Sequence, residues 1–334
     1  MKTGATQVLE ALRRAHDAGC SGQSLSTELG VSRTAVWKHV ENLRRRGYQI
    51  EGAPKSGYVL TGLPDRLYPE EVCAGEPRSW LGREIHYHEE IDSTNRVAFD
   101  LAREGAASGT AVIAERQSAG RGRLGRTFFS PIHCNLYTSI VLRPHITIAE
   151  APTLILASAI GVAEAVAATI EGVERVEIKW PNDVLIDGLK TSGILMEMNA
   201  EATQVGFVIL GIGVNLNVRR EEFPEEFRAR ATSLAAASGQ PVDRIAFTRT
   251  LYGILEGVLD QHAQHGFASL RGRFDSWFRM PGRRVEIRGV EGEALAGTVR
   301  GIATDGALEV ERANGSIERV IAGDVTLSGS ETPQ

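Results

Sequence analysis

The chain has 334 residues, 42% of them hydrophobic and 24% charged, with a net charge of −5. This is the make-up of a globular protein with room for two or three domains, and it excludes a general polyanion binder. The charge is uneven, however: residues 1–62 hold nine Lys or Arg against five Asp or Glu, a basic head that points to a local contact with nucleic acid.

The N-terminal stretch "MKTGATQVLEALRRAHDAG" is amphipathic and charged, unlike a signal peptide. Val8, Leu9 and Leu12 predict a short first helix. "SGQSLSTELG" predicts a second, ended by Gly30. "VSRTAVWKHVENLRRRG" predicts a third, with Ser32 as its N-cap and Gly47 as its stop. Val36, Val40 and Leu43 recur at helical spacing and define its inner face. The alternating "YQIEGAPKSGYVL" turns on Pro and Gly as a hairpin. A helix-turn-helix with a hairpin wing resembles a winged helix, here assigned to residues 1–64. In that geometry the third helix enters the major groove. Ser32, Arg33, Thr34, Trp37 and Lys38 then face bases, and Lys55 at the hairpin tip meets phosphate.

Residues 65–279 mix strand-like runs (110–115, 135–142, 173–180, 193–198, 206–217) with helical runs (93–105, 149–171, 243–264). They do not alternate strictly, so an α+β domain with a mixed sheet is expected. The run at 151–170 is long enough to cross a bilayer, but Glu164 and its many Ala and Gly residues mark it as a core helix. Cys20, Cys73 and Cys134 form no CxxC pair or metal spacing, which suits reduced thiols in the cytoplasm. Residues 280–328 carry short alternating runs punctuated by Asp305-Gly306 and Asn314-Gly315, predicting an SH3-like β-barrel, with "SGSETPQ" as a loose tail.

Four stretches carry chemistry. "EIDSTNRVA" (90–98) offers Ser93 or Thr94 as a helix cap. "QSAGRGRLGRTFFS" (117–130) crowds three arginines and three glycines into eight residues. Its arginines suit phosphate or carboxylate, and its glycines let backbone N–H groups approach an anion. Alone it fits an RNA contact or a solvated loop almost as well. It lacks the GK[ST] of a P-loop and opens no helix. Without an anion, mutual repulsion should leave it mobile. "KWPNDVLIDGLKTSGILMEM" (179–198) gathers polar side chains at a proline turn, and places Lys190 just before a strand whose Gly193 permits close approach. "GIGVNLN" (211–217) puts glycine inside a strand, another mark of close backbone approach.

In this order, "DSTN … GRGRLGR … KWPNDVL … K-x-x-GIL-x-E … GIGVNLN" resembles the biotin–protein ligase family. With the winged helix, the chain is similar to its bifunctional form, ligase and biotin operon repressor. The resemblance implies that biotin and ATP give biotinyl-5′-AMP and pyrophosphate. Biotin then passes to a lysine of a biotin carboxyl carrier protein, a part of acetyl-CoA carboxylase. It implies a biotin site at Ser93, Thr94, Asn95, Gln117, Gly120, Arg121, Arg123, Lys190, Gly193 and Gly213. An adenylate site follows at Arg121, Arg126, Phe128, Asn182, Asp183, Lys190 and Asn215, with Lys190 and Arg123 catalytic. Mg2+ is expected with ATP, although no ligand set for it is assigned. Operator DNA and a homodimer formed with the adenylate bound are expected partners. Two departures stand out: Phe128 where relatives often carry Trp, and Leu124 where an arginine is frequent. The loop 218–233 is expected near the adenylate. A lipoate–protein ligase shares the core fold, but "GRGR-x-GR" and "KWPNDVL" favour biotin. A ligand-sensing transcription factor without catalysis would not need Lys190 or the intact arginine loop.

Overall fold

The computed structural model describes residues 3–53, 57–75, 79–201, 204–288 and 294–327. Residue contacts divide it into two compact units, Met1–Arg66 and Leu67–Gln334.

In the first unit, α1 (Gly4–Ala15), α2 (Gly22–Leu29) and α3 (Arg33–Arg45) precede the antiparallel hairpin β1 (Gln49–Ala53) and β2 (Gly57–Gly62). Each helix starts on a hydroxyl cap: Thr3, Ser21 and Ser32 accept from the backbone N–H three residues on. Gly30 ends α2 in the left-handed region (φ 64°), which suits glycine and sets the tight turn into α3. Val8, Leu9, Leu25, Val36, Val40 and Leu43 are fully buried between the helices. Lys55 and the tail 328–334 lie outside the described residues.

The second unit runs α4 (Pro69–Val72), β3 (Ile85–His88), α5 (Thr94–Arg103), β4 (Ala111–Ala114), β5 (Leu136–Leu142), α6 (Ala151–Ala167), β6 (Val176–Lys179), β7 (Asp183–Ile186), β8 (Leu189–Glu201) and β9 (Gln204–Val214). It continues through α7 (Glu225–Arg228), α8 (Leu234–Ser238), α9 (Arg244–His265) and α10 (Arg271–Trp277). The strands β10 (Arg284–Arg288), β11 (Ala294–Ile302), β12 (Leu308–Glu311), β13 (Ile317–Val320) and β14 (Asp324–Leu327) close it. The first seven strands form one sheet, ordered β3-β4-β5-β9-β8-β7-β6. It is mixed: β3 runs parallel to β4, and the other neighbours are antiparallel.

Helix α6 is buried nearly all round, which explains its length and apolarity. It packs with α9 over one sheet face. No described helix is long and apolar enough to cross a membrane. The other face carries α5, whose Ala98 and Ala102 pack on Val112, Val141, Phe207 and Ile209. The last five strands form an antiparallel sheet, β13-β12-β11-β10-β14. Its Asp305-Gly306 turn docks on the core, where the buried Trp180 indole N–H donates to the Gly306 carbonyl at 2.9 Å.

Several boundaries differ from expectation. The run 173–180 opens with a 3-10 turn, Val173–Arg175, and only Val176–Lys179 pairs. Asp183 starts β7 instead of lying in the turn. Lys190 is the second residue of β8, not a residue before it, because it pairs with Leu185 of β7. Asn215 lies just beyond β9.

Candidate functional site

The sheet face that carries α5 has glycines at its centre, next to that helix. Strand register aligns Asp183, Gly193, Gly213 and Tyr137 in one row across β7, β8, β9 and β5. Two residues along, Leu195, Gly211 and Ser139 form the next row on the same face. Three glycines in adjacent positions leave a trough floored by backbone. The need for glycine is steric. A Cβ on Gly211 would lie 2.0 Å from Asn95 Oδ1, and one on Gly213 would lie 2.5 Å from the Phe128 ring. Gly211 belongs to this floor although sequence reasoning singled out only Gly193 and Gly213. Its signal was present in the "GIGVNLN" motif.

The start of α5 closes one end of the trough with polar groups. Ser93 is the N-cap, but its side chain makes no capping bond, which leaves the buried hydroxyl for another partner. Thr94 donates from its N–H and its hydroxyl to Gln117 Oε1, at 2.9 and 3.0 Å. The Gln117 amide donates onward to Ser130 Oγ at 3.2 Å. Asn95 donates to Glu197 at 2.8 Å, and its Oδ1 lies 2.6 Å from the Ser139 hydroxyl. Ser139 is a further buried polar member that no motif revealed; it sits in a wholly buried strand beside Thr138, whose hydroxyl is bonded to Tyr252 instead.

The arginine–glycine loop arches over the other end. It folds as a small reverse turn: Phe128 N–H donates to the Gly120 carbonyl at 2.9 Å, and Gly122 N–H to the Arg126 carbonyl at 2.7 Å. Leu124 at its tip takes a left-handed conformation (φ 56°), followed by Gly125 (φ 73°). A Cβ on Gly120 would meet the Phe128 carbonyl at 2.6 Å. The Phe128 ring rests on Gly193 and Gly213, edge-on to Tyr137. The expected repulsion between arginines is relieved by separate partners. Arg121 lies 3.9 Å from Glu197. Arg123 donates to Asn182 Oδ1 at 3.0 Å and to the Gly323 carbonyl at 3.4 Å. Arg126 holds both oxygens of Asp324.

At the proline turn the adjacent residues Asn182 and Asp183 each hold one cation. Asn182 takes Arg123, and Asp183 lies 2.6 Å from the Lys190 ammonium. Lys179 faces Asp183 across the β6–β7 hairpin. Burial holds its pKa below the usual lysine range, against the attraction of Asp183 and Asp324. Lys179 is thus a fourth basic group here, beside Arg123, Arg126 and Lys190, that residue-type reasoning passed over inside the "KWPND" motif. Burial likewise lowers the Arg123 pKa from its ordinary value. The segment after α7 returns to this point, where Lys190 N–H donates to the Arg230 carbonyl and Thr232 N–H to the Lys190 carbonyl. Asn215 is committed to Asn135 at 3.3 Å and to the Thr232 carbonyl at 3.2 Å, so it braces that segment. Among the described residues no group of three or more His, Cys, Asp or Glu side chains is arranged to hold a metal ion. Asp183 Oδ1 is buried with no hydrogen-bond partner beyond its ion pair with Lys190.

In the first unit, Ser32 caps α3 by accepting from Ala35 N–H at 3.1 Å. Arg33, Thr34, Trp37 and Lys38 are all exposed on that helix.

Three family models match the chain in order: an HTH domain over residues 5–59, the biotin/lipoate A/B protein ligase family over 87–215, and the biotin protein ligase C-terminal domain over 282–328. The chain is similar to the bifunctional ligase/repressor BirA of Bacillus spizizenii, with 37% identity covering 96% of this chain and 97% of that protein. The bifunctional ligase/repressor BirA of Escherichia coli is 31% identical, over 93% of this chain and 94% of its own. Among solved structures, the biotin protein ligase of Aquifex aeolicus in complex with biotin and ATP is 30% identical. It matches with a TM-score of 0.63, covering 73% of this chain and 98% of that one. Similarity of this extent, through all three segments, shows that the chain belongs to the family of bifunctional biotin–protein ligases and repressors.

Proposed function

We propose that the trough and its lid bind biotin and ATP, join them as biotinyl-5′-AMP, and pass biotin to a lysine of a biotin carboxyl carrier protein. One observation carries this reading above the others. Asn182 and Asp183, adjacent in sequence, hold Arg123 and Lys190 together beside a glycine-floored trough. Joining two anions needs cations preorganised where their charges meet, and this is such a place.

The roles follow from position. Ser93, Thr94, Asn95 and Gln117 supply donors and acceptors for the cyclic urea of biotin. Gly193 and Gly213 would let the ring system lie against backbone once the Phe128 ring that rests on them moves aside, and Gly120 gives the lid its close turn beside that site. Its carboxylate then points toward Lys190 and Arg123. A carboxylate oxygen attacks the α-phosphorus of ATP, the bond to the β-phosphate oxygen breaks, and pyrophosphate leaves. Lys190 and Arg123 stabilise the negative charge that gathers on the phosphoryl oxygens. In the second step the acceptor lysine, as a free amine, attacks the acyl carbon; AMP leaves and a proton is released. Arg121, Arg126 and Phe128 cover the mixed anhydride and keep out water, which would hydrolyse it. Asn182, Asp183 and Asn215 border the nucleotide. Magnesium would come with ATP, and Asp183, now paired with Lys190, would be the nearest carboxylate of this cluster to offer it an oxygen.

The helix-turn-helix supports operator binding through Ser32, Arg33, Thr34, Trp37 and Lys38, with Lys55, outside the described residues, as the expected phosphate contact. The divisions 1–64, 65–279 and 280–328 then separate DNA reading, ligation and the C-terminal module. A homodimer formed with the adenylate bound would place two reading helices on one operator. These substrates and partners place its work in the cytoplasm. The test is labelled acid with ATP and a carrier domain: biotin becomes covalently attached and lipoate does not. Attachment of lipoate at an equal rate would overturn the biotin reading.

A further inference from the structure

The apolar residues of α3 fall into two groups. Val36, Val40 and Leu43 are fully buried and hold the helix in its unit. Trp37 is different: its side chain is 52% exposed, the largest residue type to stand outside the core. It lies in the second turn of α3, at helical spacing from Arg33 and Thr34 and next to Lys38. Among the described residues, Arg33 and Lys38 have no ion-pair partner. Glu41, one turn further on, is already neutralised by Arg44 at 2.6 Å. An indole is therefore held out in water between two uncompensated cations, near the positive end of a helix. Leaving so much aromatic surface wet is unfavourable unless a partner covers it.

The cations say that the partner is a polyanion, and the indole says that it offers an apolar group at the same spot. On base edges in the major groove of DNA only one group is apolar, the C5-methyl of thymine. We infer that Trp37 reads a thymine methyl in each operator half-site, while Arg33 and Lys38 hold the phosphates and polar edges beside it. This rests on the proposed reading of α3 as the DNA-recognition helix and names what it recognises.

The experiment uses the full chain with biotin and ATP present. Duplexes are selected from a random-sequence pool, and each thymine of the selected site is then replaced singly by uracil, which removes only the methyl. Fluorescence anisotropy is expected to show a loss of about 3–10-fold at one thymine per half-site and little change at the others. Trp37→Ala, a change at an exposed position, should bind the parent duplex more weakly and be indifferent to that same replacement. If wild type is indifferent to every replacement, or if Trp37→Ala keeps the full methyl effect, Trp37 does not read a methyl although the domain still binds DNA. If no duplex is enriched from the pool, the DNA reading beneath it fails as well.

Discussion

Asn95 and Phe128 both press on strand β9, but they would yield to substitution very differently. Asn95 is buried and pinned by Ser139 and Glu197. A methyl at Gly211, which would lie 2.0 Å from Asn95 Oδ1, therefore cannot be accommodated by a local shift. Gly211→Ala should cost about 1–3 kcal/mol of stability, read as a lower urea midpoint, together with a loss of biotin affinity. A methyl at Gly213 meets the edge of the Phe128 ring, the end of a side chain on a loop. Gly213→Ala should displace that ring, leave the urea midpoint nearly unchanged and raise KM for biotin. Equal midpoints for the two variants would show that Asn95 is free to move. At this scale much of the site was legible, because the motifs carried its glycines, its arginines and Lys190. Ser139 was not, since one hydroxyl among those of a buried strand has no distinctive spacing, and Lys179, although inside the "KWPND" motif, was given no role of its own.

The lid is an element whose geometry the sequence could not convey. Three arginines in eight residues suggest a loop that repels itself, yet the counter-charges come from far away in the chain. Arg123 reaches Asn182, and Arg126 reaches Asp324 at the start of β14. The five-stranded C-terminal sheet thus latches the loop that arches over the trough. Asp324→Asn should release Arg126, weaken lid closure and speed dissociation of biotinyl-5′-AMP several-fold, while pyrophosphate release slows less; a stopped-flow off-rate equal to wild type would show that the latch does not act. Local signals did better for helices. Gly30 and Ser32 mark the end of α2 and the start of α3 from sequence alone. Two short strands escaped: β3, whose partner β4 lies more than twenty residues on, and β7, whose Asp183 reads as part of the proline turn.

Across the whole second unit, stability and function share a frame. Arg244 and Glu115, both fully buried, join the start of α9 to the end of the β4 edge at 2.8 Å. Arg244 also donates to the Asn135 carbonyl at 3.0 Å, and Asn135 in turn holds Asn215. Between α6 and α9, His262 is buried with Nε2 2.8 Å from the Thr153 hydroxyl. Burial lowers its pKa from the ordinary value, although Glu150 pulls the other way. Above about pH 6.5 the imidazole is neutral in both folded and unfolded chains. As pH falls below that value the unfolded chain binds the proton first, so stability is lost progressively toward the folded pKa. Urea midpoints should therefore drop on acidification from about pH 7 to about pH 5, and His262→Gln should flatten that slope. A variant slope equal to wild type would assign the loss to other groups, such as His88, whose pKa burial also lowers.

In the proposed function this site makes an acyl-adenylate from biotin, with Lys190 as its principal cation. Isotope exchange between labelled pyrophosphate and ATP measures that step alone, without carrier protein or DNA. Wild type should exchange only when biotin is present, and Lys190→Ala should exchange about 10²–10³-fold more slowly while still folding. Exchange that proceeds without biotin, or a Lys190→Ala rate near wild type, would contradict it.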